Sequence, residues 1–326
     1  MKRLHGDRSS RPAPRQGLAI AAAAKSRANQ ISKIVTPMRQ TPVSWPKHKP
    51  KNSSTRAVQP WMRRHLLCNR TMPRHEPTAA LPWIQAGEPL PPVTQAWGAA
   101  SPAPGLLAAG QDLSAARLLE SYSRGVFPWF SPGQPVLWWS PDPRMVLQTD
   151  RFRFHRSLRK SLQHWLNQPQ FSLCFDRDFP QVIRRCASAP RAGQNGTWIV
   201  PEMVMAYEDL HRQGHAHSAE VWLNGQLLAG LYFVTLGHAV FGESMFTTIA
   251  DGSKMALACL VSVCLQHGIT AIDCQQNTRH LAFMGASEMP RHQFILGLER
   301  DRHQSPIDWA QQSLYWKALM ALDTPA

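Results

Sequence analysis

The sequence predicts an α+β fold in which a mixed β-sheet carries helices, and three observations predict it. From Ala219 to Phe246 apolar strand-like runs are broken by tight-turn signals at Asn224-Gly225 and Gly237-His238, the pattern of three antiparallel strands. An apolar helical stretch, KMALACLVSVCLQH, then runs between Ser253, read as its cap, and Gly268, read as its stop. A short strand, ITAIDCQ (Ile269 to Gln275), follows at once. A helix therefore crosses between two strands, in the order β-β-β-α-β-α.

The elements follow in chain order. Residues 1–71 hold scattered Pro, Ser and Arg with no sustained apolar period, and read as a disordered basic extension. Within it LAIAAAA (Leu18 to Ala24) is too short for a firm signal peptide and is followed at once by Lys25 and Arg27. A start placed too far upstream, with Met72 as the true first residue, is the expectation. Residues 72–104 form a Pro/Ala-rich lead-in, and order is expected from about Leu106. Residues 105–165 are expected to form a small N-terminal α/β domain, and 166–326 the larger domain. Ser114 caps a helix over AARLLESYSR that ends at Gly125. A second helix is expected over Phe154 to Leu166. GTWIVPEMVMAYEDLHRQG gives a short strand and then a helix, with Pro201 in its first turn and Gly214 past its last. After the Ile269–Gln275 strand come a short helix over 278–284 and another opened by Pro290.

The charge is uneven. Of the 36 Lys and Arg, sixteen lie in residues 1–71 beside one acid, Asp7, and these account for the whole net charge of +15. From residue 72 onward 20 basic residues balance 20 acidic ones. Nucleic-acid contact in the folded part must therefore use local patches and stacking. Six cysteines without a C-x-x-C pair suit reduced thiols in the cytoplasm. No run reaches the roughly 18 apolar residues of a membrane span.

Three places carry candidate chemistry. In I269-T-A-I-D-C-Q275, alternation puts Asp273 and Gln275 on one face and Ile272 and Cys274 on the other. A carboxylate on an apolar strand is costly to bury unless paired or used. A structural role, capping the 278–284 helix or pairing Arg279, stands beside the functional one. Cys274 is expected to be a packing residue. In F241-G-E-S-M-F246, Glu243 precedes a polar loop and a helix start, where Ser253 and Lys254 could hold a phosphate. That loop has one glycine, Gly252, which argues against a coenzyme A pyrophosphate. The third place, F127-P-W-F-S-P-G-Q-P-V-L-W-W-S-P-D-P143, holds five aromatics and five prolines. The prolines point to a turn-rich loop, where some rings pack and others could stack on unpaired bases at about 1–3 kcal/mol each, with Arg124 and Arg144 meeting phosphates. H211-R-Q-G-H-A-H217 lacks an Asp or Cys at a spacing that completes a metal site, so no metal is expected.

The strand and helix order matches the core of acyl-CoA N-acyltransferase folds, an analogy of fold alone. Three further blocks are more specific. L107-A-A-G-Q-D-L-S114 with S121-Y-S-R-G-V-F-P-W-F-S-P-G-Q-P-V-L-W-W-S-P-D-P-R144 is one. G214-H-A-H-S-A-E-V-W222 with F241-G-E-S-M-F246 is the second, and I272-D-C-Q275 with H280-L-A-F-M-G-A286 the third. Together, from about Gly105 to about Leu298, they resemble the bacterial leucyl/phenylalanyl-tRNA–protein transferases. The resemblance implies transfer of Leu or Phe, and Met less readily, from aminoacyl-tRNA to an N-terminal Arg or Lys of a protein, marking it for N-end-rule degradation. It implies an acyl-CoA N-acyltransferase-like C-terminal part, and Asp273 and Gln275 at the reaction. It implies a tRNA 3′-end held by Trp129 and Trp198 with Tyr122 and Tyr207 nearby, and an apolar amino-acid pocket of Leu231, Val240 and Met245 beside Glu243. No metal, cofactor or membrane is required, and a cytoplasmic monomer is expected. Gln111 departs from a second glycine common in the family, and Leu231 and Val240 from larger pocket residues, which leaves the preference among Leu, Phe and Met open. Other readings at this point are an acyl-CoA N-acetyltransferase and a non-catalytic single-stranded RNA-binding module.

Overall fold

The computed structural model describes residues 80–189 and 199–322 of the 326. The basic extension and Trp198 lie outside the described residues. From Leu81 onward the chain forms one compact unit, which takes in some 25 residues before the expected point. The reason is visible in the lead-in, where Leu81, Ile84 and Leu90 are buried and strand β1 (Trp83–Ile84) pairs in parallel with β2 (Leu106–Gly110).

Helix α1 (Ala115–Ser123) starts as its sequence dictates, with the Ser114 hydroxyl accepting from the Arg117 amide at 3.3 Å. It ends at Gly125, whose φ of +69° only glycine adopts without strain. Arg117 and Arg124 then stitch α1 to the lead-in. Arg117 bonds the Glu88 carbonyl and Arg124 the Leu90 carbonyl, each at 2.5 Å, while Glu120 accepts from the Leu90 amide at 2.9 Å.

The proline- and tryptophan-rich stretch overturns the loop expectation. It folds into β3 (Phe127–Pro128) and β4 (Val136–Trp139), and the small sheet has the order β1-β2-β4-β3 with β4 inside. The prolines avoid β4, which reads Val136-Leu137-Trp138-Trp139 and carries every donor its two neighbours need. Phe127, Phe130, Trp138 and Trp139 are buried, and Trp129 alone of the five aromatics is partly open.

The larger sheet has seven strands. β5 (Arg144–Gln148) precedes α2 (Arg156–Leu166), β6 (Phe171–Phe175), α3 (Phe179–Ser188) and α4 (Pro201–Arg212). The expected strand before Pro201 is not formed by Ile199 and Val200, and Gly196–Trp198 lie outside the described residues. Then come β7 (Ala216–Leu223), β8 (Gln226–Leu236) and β9 (Ala239–Thr247), the three strands read from their turns. α5 (Gly252–Gln266), β10 (Ala271–Gln275), α6 (Arg279–Phe283), β11 (Ser287–Met289), α7 (Arg291–Asp301) and α8 (Trp316–Ala321) complete the unit. The order is β11-β5-β10-β9-β8-β7-β6, antiparallel throughout except for β9 beside β10.

The core lies where α5 packs on the sheet, with Met255 to Cys264 buried along nearly its whole length against residues such as Leu231, Phe233 and Val240. Asp251, at φ +59°, is the residue before the helix, so Ser253 sits inside the first turn and does not cap it. Gly252 is required by close approach: a Cβ there would lie 2.5 Å from Thr247 Oγ1 and 2.8 Å from Ala229 Cβ. Gly252→Ala is expected to destabilise the protein by about 1–3 kcal/mol, although alanine is the better helix former by about 1 kcal/mol. Urea unfolding checks this, and an unchanged or raised midpoint would contradict the close fit.

Candidate active site

Glu243 owes its position to a β-bulge. Along β9, Gly242 pairs with Phe233 and Ser244 with Tyr232, so Glu243 is an extra residue with no partner on β8. A bulge bends its strand and re-aims the extra side chain. Here it turns the carboxylate toward α1 and α4. Oε1 accepts from the Tyr122 hydroxyl at 2.8 Å and Oε2 from the Tyr207 hydroxyl at 3.3 Å, and the two hydroxyls are 2.5 Å apart.

A second irregularity lies in the next strand. Against β5, Asp273 pairs with Val146 and Gln275 with Met145, skipping Cys274. Gln275 takes φ +59° and sends its Nε2 to Glu243 Oε1 at 2.9 Å. β9 and β10 are paired only at Ile272–Val240 and Asp273–Phe241. Beyond that point the backbone pairing is not continued, and the Gln275 and Glu243 side chains join the two strand ends.

Asp273 is not free. Arg144, fully buried, donates to it twice, Nε to Oδ1 at 2.8 Å and Nη2 to Oδ2 at 2.5 Å. Arg144 Nη1 also bonds the Gly125 carbonyl at 3.1 Å, and its guanidinium lies between the rings of Phe127 and Phe294 at 4.8 and 4.7 Å. Asp273 Oδ1 further accepts from the Gln275 amide at 2.9 Å. The partner is thus Arg144, neither Arg279 nor the 278–284 helix, and Arg144 cannot reach a phosphate. Arg124 is held by Glu120 and the lead-in.

The electrostatics separate the two carboxylates. Burial pushes Glu243 up from its ordinary 4.5 to about 8, opposed by the Tyr122 hydrogen bond and assisted by nearby Asp273. Burial beside that carboxylate drives both tyrosine hydroxyls well above their ordinary 10.0. Among the described residues Glu243 has three neutral donors and no ion pair. A half-buried carboxylate that titrates at about 8, next to an amide that can hold a second group, is equipped to exchange a proton.

The other expected residues are distributed as follows. Tyr122 and Tyr207 are fully buried and offer no face to a base; their hydroxyls serve Glu243. Trp129 is partly exposed, edge-on to Trp139 with ring centroids 5.5 Å apart. Lys254 bonds Asp251 at 2.7 Å and lies 5.8 Å over the exposed Phe283 ring, with Ser253 beside it. Leu231 and Met245 face each other across β8 and β9. Val240 and Leu231 are buried in the core under α5. Val240 also lines, with Asp273 and Phe294, a cavity of about 830 Å³ beside α7 that Leu231 and Met245 do not reach. Cys274 packs as expected, with burial raising its thiol to about 12.

Sequence reasoning missed Arg144 as the partner of Asp273, and the joining of Tyr122, Tyr207 and Glu243 into one group. The available signal was an arginine, Arg144, directly before the apolar run Met145 to Leu147, where an unpaired charge is costly to bury. The metal argument also needs correction, because the fold brings Asp176 beside His211 and His217.

Comparison with known proteins identifies relatives over most of the folded part. Residues 146–299 match the family of the leucyl/phenylalanyl-tRNA protein transferase, and residues 111–142 match its N-terminal domain. A leucyl/phenylalanyl-tRNA–protein transferase of Polaromonas sp. (strain JS666 / ATCC BAA-500) is 56% identical over 245 residues, 75% of this chain and 96% of that one. Those of Albidiferax ferrireducens and Burkholderia multivorans are 51% and 48% identical, covering 74% and 76% of this chain and 94% and 97% of theirs. Relatives of this identity, matched over nearly their whole length, place the chain in the leucyl/phenylalanyl-tRNA–protein transferase family.

Proposed function

We propose that this chain moves Leu or Phe, and Met less readily, from aminoacyl-tRNA to the N-terminal Arg or Lys of acceptor proteins, marking them for N-end-rule degradation. The observation that carries the reading is the meeting of Glu243 and Gln275 where the β9–β10 pairing ends. The aminoacyl ester would bind there, the place an acyl group takes in acyl-CoA N-acyltransferase folds. Trp129 would stack on the tRNA 3′ end, joined by Trp198, while Ser253 and Lys254 would meet its phosphates. Leu231, Val240 and Met245 would line the amino-acid pocket.

The chemistry needs little force. An α-ammonium has a pKa of about 8, matched to Glu243 at about 8. Glu243 takes one proton from the acceptor ammonium, and the freed lone pair attacks the ester carbonyl. Gln275 gives one Nε2 hydrogen to Glu243 and has the other, with Oε1, left for the substrate. The C–N bond forms, the C–O bond to the ribose breaks, and the second proton shed by the attacking nitrogen passes to the departing ribose oxygen, which leaves as a hydroxyl. Proximity supplies much of the rate. Asp273, neutralised by Arg144, acts through the Gln275 backbone rather than on the substrate. No cofactor enters this scheme. The reading takes the chain as a monomer of the cytoplasm. Among the described residues no helix is long and apolar enough to cross a membrane.

The test uses the full chain, leucyl-tRNA carrying radiolabelled leucine, and a peptide with N-terminal Arg. Label is expected in that peptide and in its Lys counterpart, and not in the N-acetylated peptide. Turnover of acetyl-CoA with no transfer from tRNA would overturn the reading in favour of an acetyltransferase. Retention of leucyl-tRNA without either reaction would favour a binding module.

A further inference from the structure

Asp176 follows β6 at φ +53°, a turn conformation that an Asp accepts more readily than most residues. It comes to lie beside two imidazoles: one donor atom each from Asp176, His211 and His217 falls within 4.8 Å of the other two. The three come from the end of β6, from α4 and from β7.

Each donor is held in place by its surroundings. His211 Nδ1 donates to the Ala216 carbonyl at 2.7 Å, which keeps that proton on Nδ1 and leaves the Nε2 lone pair free. Its ring is stacked on Phe179 at 4.3 Å and 8°. His217 is buried, flanked by Phe233 at 5.7 Å and Trp309 at 5.9 Å, with Nδ1 2.7 Å from Asp176 Oδ2. Asp176 Oδ1 accepts from the Ser218 amide at 2.7 Å, and no Lys or Arg among the described residues forms an ion pair with it. A carbonyl-anchored imidazole and a carboxylate anchored on an amide are the arrangement that surrounds metal ligands in proteins.

We propose that Asp176, His211 and His217 bind a divalent first-row cation of the zinc type. Two nitrogens and one carboxylate oxygen form a borderline ligand set, and zinc accepts it at about 2.0–2.2 Å with a fourth position left for water. The donors must draw together by small side-chain rotations, and the proton on His217 Nδ1 gives way to the cation, moving to Nε2 in a neutral ring or to solvent from a charged one. The site would not be catalytic. It would tie α4 to β7 and to the chain after β6, and His211 lies one turn along α4 from Tyr207, which bonds Glu243. A bound cation would therefore stiffen the helix that supports the candidate base.

The experiment uses the untagged full chain, stripped with a chelator and titrated calorimetrically with zinc chloride, with cobalt(II) as the spectroscopic probe. One equivalent is expected to bind, to raise the thermal midpoint, and to give cobalt d–d bands of a low-symmetry four-coordinate site. Asp176→Asn keeps an acceptor for the Ser218 amide and should weaken binding about 10- to 100-fold. His211→Ala should abolish the stoichiometric equivalent, and circular dichroism of both apo variants would show whether they are folded. Failure of the parent chain to bind one equivalent would overturn the proposal. So would an unchanged titration in the two folded variants, which would leave a structural His–Asp hydrogen bond only.

Discussion

Arg144→Met is expected to lower the unfolding free energy by about 3–5 kcal/mol, among the largest losses a single substitution can cause. The substitution leaves Asp273, only 3% exposed, as a buried carboxylate without its cation, and strips the Gly125 carbonyl of its donor. It also removes the guanidinium from between Phe127 and Phe294, so the small sheet and α7 lose their common filler. Asp273→Leu should cost a similar amount by orphaning Arg144. The double variant Arg144→Met/Asp273→Leu should recover much of the loss, because it removes both desolvation costs at once. Urea unfolding of the three variants measures this as a cycle. A loss under about 1 kcal/mol in Arg144→Met would mean that water already screens the pair.

Glu243→Gln is expected to slow transfer about 10²- to 10⁴-fold while the tRNA is still held. In the parent protein the rate should rise with pH through about 8, as Glu243 gives up its proton. The variant should keep only the limb set by the acceptor amine. The same group makes a second, independent readout. Its pKa is higher folded, about 8, than its ordinary 4.5, so the folded state holds a proton that the unfolded chain has released between those values. Stability from this group is therefore fully present below about 4.5, declines as pH rises, and is gone above about 8. Glu243→Gln should flatten that decline. A variant with undiminished transfer would remove Glu243 from the reaction, and an unaltered pH slope of stability would place its titration elsewhere.

What could be read from sequence was what is local. Caps and turns announced α1, α4 and α7, and Asn224-Gly225 set the β7–β8 hairpin, because each of these signals acts within a few residues. Asp273 and Gln275 were found because a polar pair on an apolar strand is costly. The rest depended on distance along the chain. Arg144 and Asp273 are 129 residues apart, Tyr122 and Glu243 121, and nothing near any of them names the other. The proline-rich stretch misled because proline density was weighed over the whole window, whereas β4 itself contains none. Alternation would give Asp273 and Gln275 a common side, but the register shift that skips Cys274 breaks the period there, and no period-two rule could foresee that Glu243 is an added residue between Gly242 and Ser244.

That added residue bears on how such a site can be gained or lost in descent. Taking Glu243 out would let Ser244 follow Gly242 and leave every later pairing of β9 with β8 as it is, with Met245 still opposite Leu231 and Phe246 still opposite Gly230. The strand is a regular one plus a single codon. Most insertions into a half-buried strand exchange its two faces and ruin the core, but this one is absorbed by the bulge and spends its whole effect on one side chain. A sheet of this kind could therefore pass between an inert form and a reactive one by a three-nucleotide event, with its packing undisturbed in either form.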